Sequence, residues 1–175
     1  IFGLIGRFDP QKGQMLLLEA MKICSNKNFS LAFLGEPTKN EGDTFFNSLG
    51  QFIQENNLEN RVFIRPFRKD IASFYKAIDW FVMASKAETF GMVTIEAMAC
   101  GTPTLGSNAG GTPEILEHGN LGVLFETLNP ADLANKIDDI IDNHFEIEVL
   151  KLKSSASQYD HRTICNKVEQ NLALI

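Results

Sequence analysis

The sequence predicts an α/β fold, a doubly wound parallel six-stranded sheet flanked by helices. Three observations carry this. Short apolar runs alternate with longer helical ones along the whole chain. The short runs are near-continuously apolar, as strands are when helices cover both faces of a sheet. At 175 residues and 44% hydrophobic content the chain has the size of one domain with a sizeable core.

In order, Phe2–Gly6 reads as the first strand and Gln14–Cys24 as the helix after it. Strand Ser30–Gly35 then leads through the polar surface loop Glu36–Asp43 to a helix over Thr44–Asn57. Strand Arg61–Arg65 leads to a helix over Lys69–Ala77, and strand Trp80–Ala84 to one over Met92–Cys100, closed by Gly101 and Pro103. Strand Thr102–Ser107 precedes a short helix with Thr112 as N-cap and Pro113 at its first position. Strand Leu121–Phe125, a helix over Pro130–Asn143 and a helical tail to Ile175 complete the chain. Right-handed crossovers gather the strand-to-helix loops at one edge of such a sheet, where doubly wound folds bind ligands. No internal repeat or low-complexity segment interrupts the pattern.

Net charge is −6, the wrong sign for a dedicated nucleic-acid binder. No apolar run approaches the ~20 residues that span a bilayer, and no signal-peptide pattern is evident. Cys24, Cys100 and Cys165 are odd in number and lack metal-ligand spacing, so buried reduced thiols of a cytoplasmic protein are expected. Ile1–Gly6 has the pattern of a central strand, which seldom opens a chain. The sequence is therefore expected to be one domain, residues 1–175, preceded by another in the full protein.

Three loops carry chemistry. In Gly6-Arg7-Phe8-Asp9-Pro10-Gln11-Lys12-Gly13, two cations sit in a glycine-bounded turn that opens a helix. A helix start offers free N–H groups and a positive dipole end, and Arg7 with Lys12 completes an anion site. Taken alone, the turn is equally a surface loop with solvated charges. The Walker order of glycines and lysine is absent.

In the second loop, Ser85 to Gly101, Glu88 follows a strand and Gly91 opens a helix. Gly91 allows close backbone approach, and the amides of Gly91, Met92 and Val93 face outward to meet a phosphate. Glu96 lies about a turn further on, with Val93, Ala97 and Met98 as the buried stripe. Acids beside an anion site make sense as acceptors of sugar hydroxyls. The plain alternative is a capping Glu88 and a solvated Glu96. In the third loop, Ser107 to Ile115, the pair Gly110-Gly111 precedes the short helix, for which a tight turn suffices.

Together these loops resemble the C-terminal domain of retaining glycosyltransferases of GT-B architecture, the family 4 or group 1 glycosyl transferases. Glu88-Thr-Phe-Gly-Met-Val-Thr-Ile-Glu96 matches that family's E-x7-E motif, and Ala97-Met-Ala-Cys-Gly-Thr-Pro103 continues as the family does. Gly6-Arg7 with Lys12-Gly13 is similar to its diphosphate loop, and Gly110-Gly111-Thr-Pro-Glu114 to the loop that follows. The match covers about residues 1–142. It departs at Pro66, where members often have glycine beside the nucleobase, and at Gly35-Glu36-Pro37, which lacks a second glycine.

The resemblance implies transfer of a hexose from a nucleoside diphosphate to an acceptor hydroxyl with retention. Arg7 and Lys12 would neutralise the diphosphate, Glu88 would contact the transferred sugar, and Glu96 would hold the ribose hydroxyls. The segment Phe90, Gly91, Met92 and Val93 would complete the donor site. No Asp-x-Asp motif is present, so neither metal nor cofactor is expected, the nucleotide sugar being a substrate. The acceptor, a sugar, lipid or small molecule, would belong to the N-terminal domain, and peripheral membrane association of the whole enzyme is compatible with this. His118, His144 and His161 read as surface or tail residues. Competing readings are a hydrolase using Glu88 and Glu96 as a carboxylate pair, a non-catalytic nucleotide-sugar-binding module, and a GT-B-like sugar-nucleotide epimerase.

Overall fold

The computed structural model describes residues 1–37, 42–143, 145 and 147–172. Six parallel strands form one sheet: β1 (Phe2–Ile5), β2 (Leu31–Leu34), β3 (Val62–Arg65), β4 (Trp80–Met83), β5 (Thr104–Ser107) and β6 (Gly122–Phe125), in the order β3-β2-β1-β4-β5-β6. The chain winds outward from β1 to β3, then returns to the other side of β1 and winds outward again. The reversal lies between β1 and β4, where doubly wound sheets open a crevice at the strands' carboxyl ends.

The pairing shows that opening. β1 runs beside β2 over four residues, Phe2↔Leu31 to Ile5↔Leu34. It pairs with β4 only at Phe2↔Trp80 and Gly3↔Phe81. Beyond these the two strands part.

Strand side chains alternate between two apolar layers. Leu4, Phe33 and Val82 face α1 (Gln14–Ile23), α2 (Gly42–Glu55) and α6 (Pro130–Asp142) through Leu17, Leu18, Leu49, Ile53, Leu133 and Ile137. Ile5, Leu34, Phe81 and Met83 face Tyr75 of α3 (Ile71–Ala77) and Ala97 of α4 (Met92–Cys100). Ile95 and Met98 of α4 also pack on α5 (Thr112–Ile115) and on Leu152 and Ala156 of α7 (Val149–Ser157). β1, β2 and β4 are apolar throughout; β5 is fully buried yet carries Thr104, Gly106 and Ser107, and the edge strand β3 leaves Phe63 and Arg65 exposed.

Several boundaries move, for local reasons. α3 starts at Ile71, because the Asp70 side chain accepts the Ser73 N–H and fixes the cap. The N-cap of α5 is Gly111; Thr112 lies inside the helix, 0% exposed, without a side-chain cap bond. Val93 is only half-buried, and Thr94, Ile95, Ala97 and Met98 form the buried side of α4. The expected tail is two helices, α7 and α8 (His161–Leu172), separated at Gln158–Asp160. All three cysteines are free, yet only Cys24 is buried; Cys100 and Cys165 are half-buried. His118 and His161 are exposed. His144, residues 38–41 of the polar loop and residues 173–175 lie outside the described residues. Among the described residues no helix is long and apolar enough to cross a membrane.

Candidate functional site

A small open cleft occupies the gap between β1 and β4. Leu4, Ile5 and Gly6 form one wall, Phe81 to Ser85 the other, and Lys12, Glu88, Met92 and Val93 close over it. A second open hollow adjoins it across Ile5 and Gly6 and is bounded by Arg7, Gly35, Glu36 and Phe67. The two meet at Ile5 and Gly6 and lie at the carboxyl ends of β4, β1 and β2, with Phe67 contributed by the segment after β3.

Each loop is held by the next. The loop after β1 meets the loop after β4 twice: the Lys86 N–H donates to the Gln11 carbonyl at 2.8 Å, and Lys12 Nζ donates to Glu88 Oε2 at 3.0 Å. Gly13 makes this approach possible. It sits at φ 80°, and a Cβ there would lie 2.2 Å from the Ala84 carbonyl oxygen, so no side chain fits. Gln14, 0% exposed at the head of α1, donates from Nε2 to the Arg7 carbonyl at 2.8 Å. That bond fixes the path of the Arg7 turn.

The third loop has its role from packing. The Gly111 N–H donates to the Glu88 carbonyl at 3.0 Å. Gly110, at φ 58°, would put a Cβ 2.1 Å from the same oxygen. The glycine pair thus forms the seat on which the Glu88 backbone rests. Buried Ser107 adds a hydroxyl donated to the Ser85 carbonyl at 3.0 Å.

At the start of α4, Gly91 has φ 74° and gives no side-chain cap. The Thr94 and Ile95 amides already bond to the Gly91 carbonyl, so the Met92 and Val93 amides precede the helical ladder and remain available to a ligand. Lys12 and Glu88 largely offset one another, with side chains 31% and 21% exposed. Arg7, which is exposed and has no ion pair among the described residues, and the α4 N-terminus with its positive dipole end add positive charge at this edge.

The remaining candidates lie further out. Phe90 is 48% exposed and stands edge-on to Tyr159 at 6.1 Å, rather than lining the cleft. Met92, 54% exposed, lines it at the mouth. Glu96 is half-buried one turn inside α4, where the Tyr75 hydroxyl donates toward its Oε2 at 3.1 Å. Among the described residues no three His, Cys, Asp or Glu side chains gather as a metal site. Sequence reasoning missed Tyr75, Gln14 and the seat formed by Gly110 and Gly111. Only Gln14 carries a signal, a polar residue at the head of an otherwise apolar helix.

Residues 1–159 match the glycosyl transferases group 1 family. The chain belongs to that family. A glycosyltransferase of Methanocaldococcus jannaschii is 35% identical over 144 residues, 81% of this chain and 38% of its own length. The Anabaena protein HepE, solved in complex with UDP, superposes with a TM-score of 0.89 at 32% identity over 99% of this chain and 48% of its own. It has also been solved with UDP-glucose. A C-terminal domain of the group 1 protein LpcC from Francisella tularensis, solved by itself, gives a TM-score of 0.74 at 27% identity and is covered over 85% of its length. This group 1 chain thus spans a little over a third of its curated relative and about half of HepE.

Proposed function

We propose that the chain is the donor-binding half of a retaining, metal-independent hexosyltransferase. The carrying observation is the convergence of Lys12, Glu88 and the free amides of Met92 and Val93 on one cleft between β1 and β4. HepE with UDP and UDP-glucose supports the donor class. The isolated LpcC domain supports a self-contained half.

Lys12, Arg7 and the α4 amides bind the diphosphate and stabilise the charge it gains as the glycosidic bond breaks, the contribution that usually dominates such reactions. With fixed cations and a helix dipole, no divalent ion is needed. Glu88 receives hydroxyls of the transferred sugar, and donor binding draws Lys12 from Glu88 toward phosphate. Glu96, one turn deeper, receives the ribose hydroxyls. The base lies toward the hollow bounded by Arg7 and Phe67, and Met92 borders the mouth of the cleft.

Glu88 and Glu96 are held by different partners, Lys12 and Tyr75, which disfavours their use as a hydrolytic pair. Acceptor recognition, whether of sugar, lipid or small molecule, falls to the other half of the enzyme, as does any peripheral contact with membrane. Three free cysteines fit a cytoplasmic setting. The test is to supply the chain with nucleotide sugars and acceptors. The chain should bind donor yet transfer no sugar, and turnover by the purified chain would refute the two-domain reading.

A further inference from the structure

Tyr75 is invisible in the sequence pattern and central in the packing. Its ring is 0% exposed, edge-on to Phe81 at 5.6 Å and to Phe74 at 6.5 Å. Its hydroxyl reaches the first turns of α4, 3.0 Å from the Val93 carbonyl oxygen and 3.1 Å from Glu96 Oε2. Its own carbonyl accepts the Thr102 hydroxyl at 2.8 Å, just past the end of α4. One residue of α3 therefore grips α4 near both ends.

A phenol has one proton to give. The Val93 carbonyl already serves the helical ladder, whereas the Glu96 carboxylate is a charged acceptor and takes the stronger bond. Burial first, and the Glu96 charge second, push the Tyr75 phenol well above its ordinary range. It stays protonated and remains a donor. A carboxylate has about four acceptor positions on two oxygens, so one bond from Tyr75 leaves the other oxygen free.

We propose that Tyr75 is a positioning residue for the donor site: its hydroxyl pins one oxygen of Glu96 against α3 and so presents the other to the hydroxyls of the nucleoside. This rests on the reading of Glu96 as the ribose acceptor. A core tyrosine with no such role would affect folding and every ligand alike, whereas the positioning role affects only ligands that carry ribose hydroxyls.

The experiment compares calorimetric affinities of uridine, adenosine and guanosine diphosphates with those of their 2′,3′-dideoxy counterparts. Wild type should prefer the hydroxylated form of the tightest binder, and Glu96→Gln should erase that preference. Tyr75→Phe, which keeps the ring, should cut the preference roughly three- to tenfold while leaving the dideoxy affinity unchanged, and should add nothing in the Glu96→Gln background. Substituting 3-fluorotyrosine at position 75, a stronger donor of nearly the same shape, should keep or raise the preference; a fall there overturns the proposal even if the phenylalanine variant folds poorly. Full preference in a folded Tyr75→Phe protein overturns it as well. If wild type shows no preference, or Glu96→Gln retains it, the ribose reading of Glu96 fails and the proposal fails with it.

Discussion

Lys12 Nζ donates to Glu88 Oε2 across 3.0 Å, tying the loop after β1 to the loop after β4 at the mouth of the cleft. The two residues are 76 positions apart in sequence. In the free protein, the lysine that would meet a diphosphate is thus already engaged by the acid that would meet the sugar.

The sign of one mutational effect follows. A half-buried pair of this kind is worth about 1 kcal/mol, and a phosphate must draw Lys12 away from it. Glu88→Gln should therefore tighten nucleoside diphosphate binding by up to about fivefold, while turnover of the full-length enzyme falls. Lys12→Ala should weaken the same ligand by roughly tenfold or more. Calorimetry on both variants checks this; weaker binding in Glu88→Gln would mean that the carboxylate, not the lysine, anchors the ligand.

Two glycines should respond oppositely to alanine. At Gly13 the added Cβ meets the Ala84 carbonyl oxygen at 2.2 Å and the backbone is left-handed at φ 80°. Gly13→Ala should cost about 2–4 kcal/mol of stability and disturb the cleft. Gly50 lies within α2 with nothing within 4 Å of its would-be Cβ. Gly50→Ala should stabilise by about 0.5–1 kcal/mol. Urea denaturation of the two variants reads both signs.

Cys24 sets an alkaline limit. Burial, reinforced by the nearby Asp138 charge, pushes its thiol from an ordinary 9.0 up to about 12. Between those values the folded chain keeps a proton that the unfolded chain releases. Stability should therefore fall as pH rises through this window, by about 1.4 kcal/mol per pH unit, and not respond to this group below it. The decline in urea midpoint from pH 8 to 10.5 should be shallower in Cys24→Ala; equal slopes would show that the buried thiol does not contribute.

The central strands β1, β2 and β4 were legible because burial on both faces leaves a simple mark, unbroken apolar runs bounded by turns. Strand β5, with Thr104, Gly106 and Ser107, and the half-exposed edge strand β3 were legible from their place in the strand–helix alternation. The loops bearing Arg7, Lys12, Glu88 and Gly91 stood out through their order and spacing together; singly, the Arg7–Lys12 turn reads equally as a solvated surface loop and Glu88 as a cap. What sequence could not carry is the contact between distant loops. Gly110 and Gly111 read as an ordinary turn, and only the 2.1 Å approach to the Glu88 carbonyl shows what excludes a side chain. Tyr75 drew no reading beyond its place in the helix over Lys69–Ala77, because a hydroxyl's partner lies in a distant element. Thr112 has the composition of an N-cap, yet its burial turns the side chain inward and the cap falls to Gly111.

The central claim is that the gap between β1 and β4 holds a nucleotide sugar without a metal ion. The most direct measurement is amide chemical-shift mapping of the isotope-labelled chain titrated with nucleoside diphosphates and their sugar esters in EDTA. Saturable shifts should gather on Gly6–Gly13 and Glu88–Val93, persist undiminished in the chelator, and need roughly tenfold or more ligand in Lys12→Ala. Shifts centred instead on the apolar hollow beside Gly119, Ile140 and Phe145, binding that requires a divalent cation, or no binding at all would contradict the assignment.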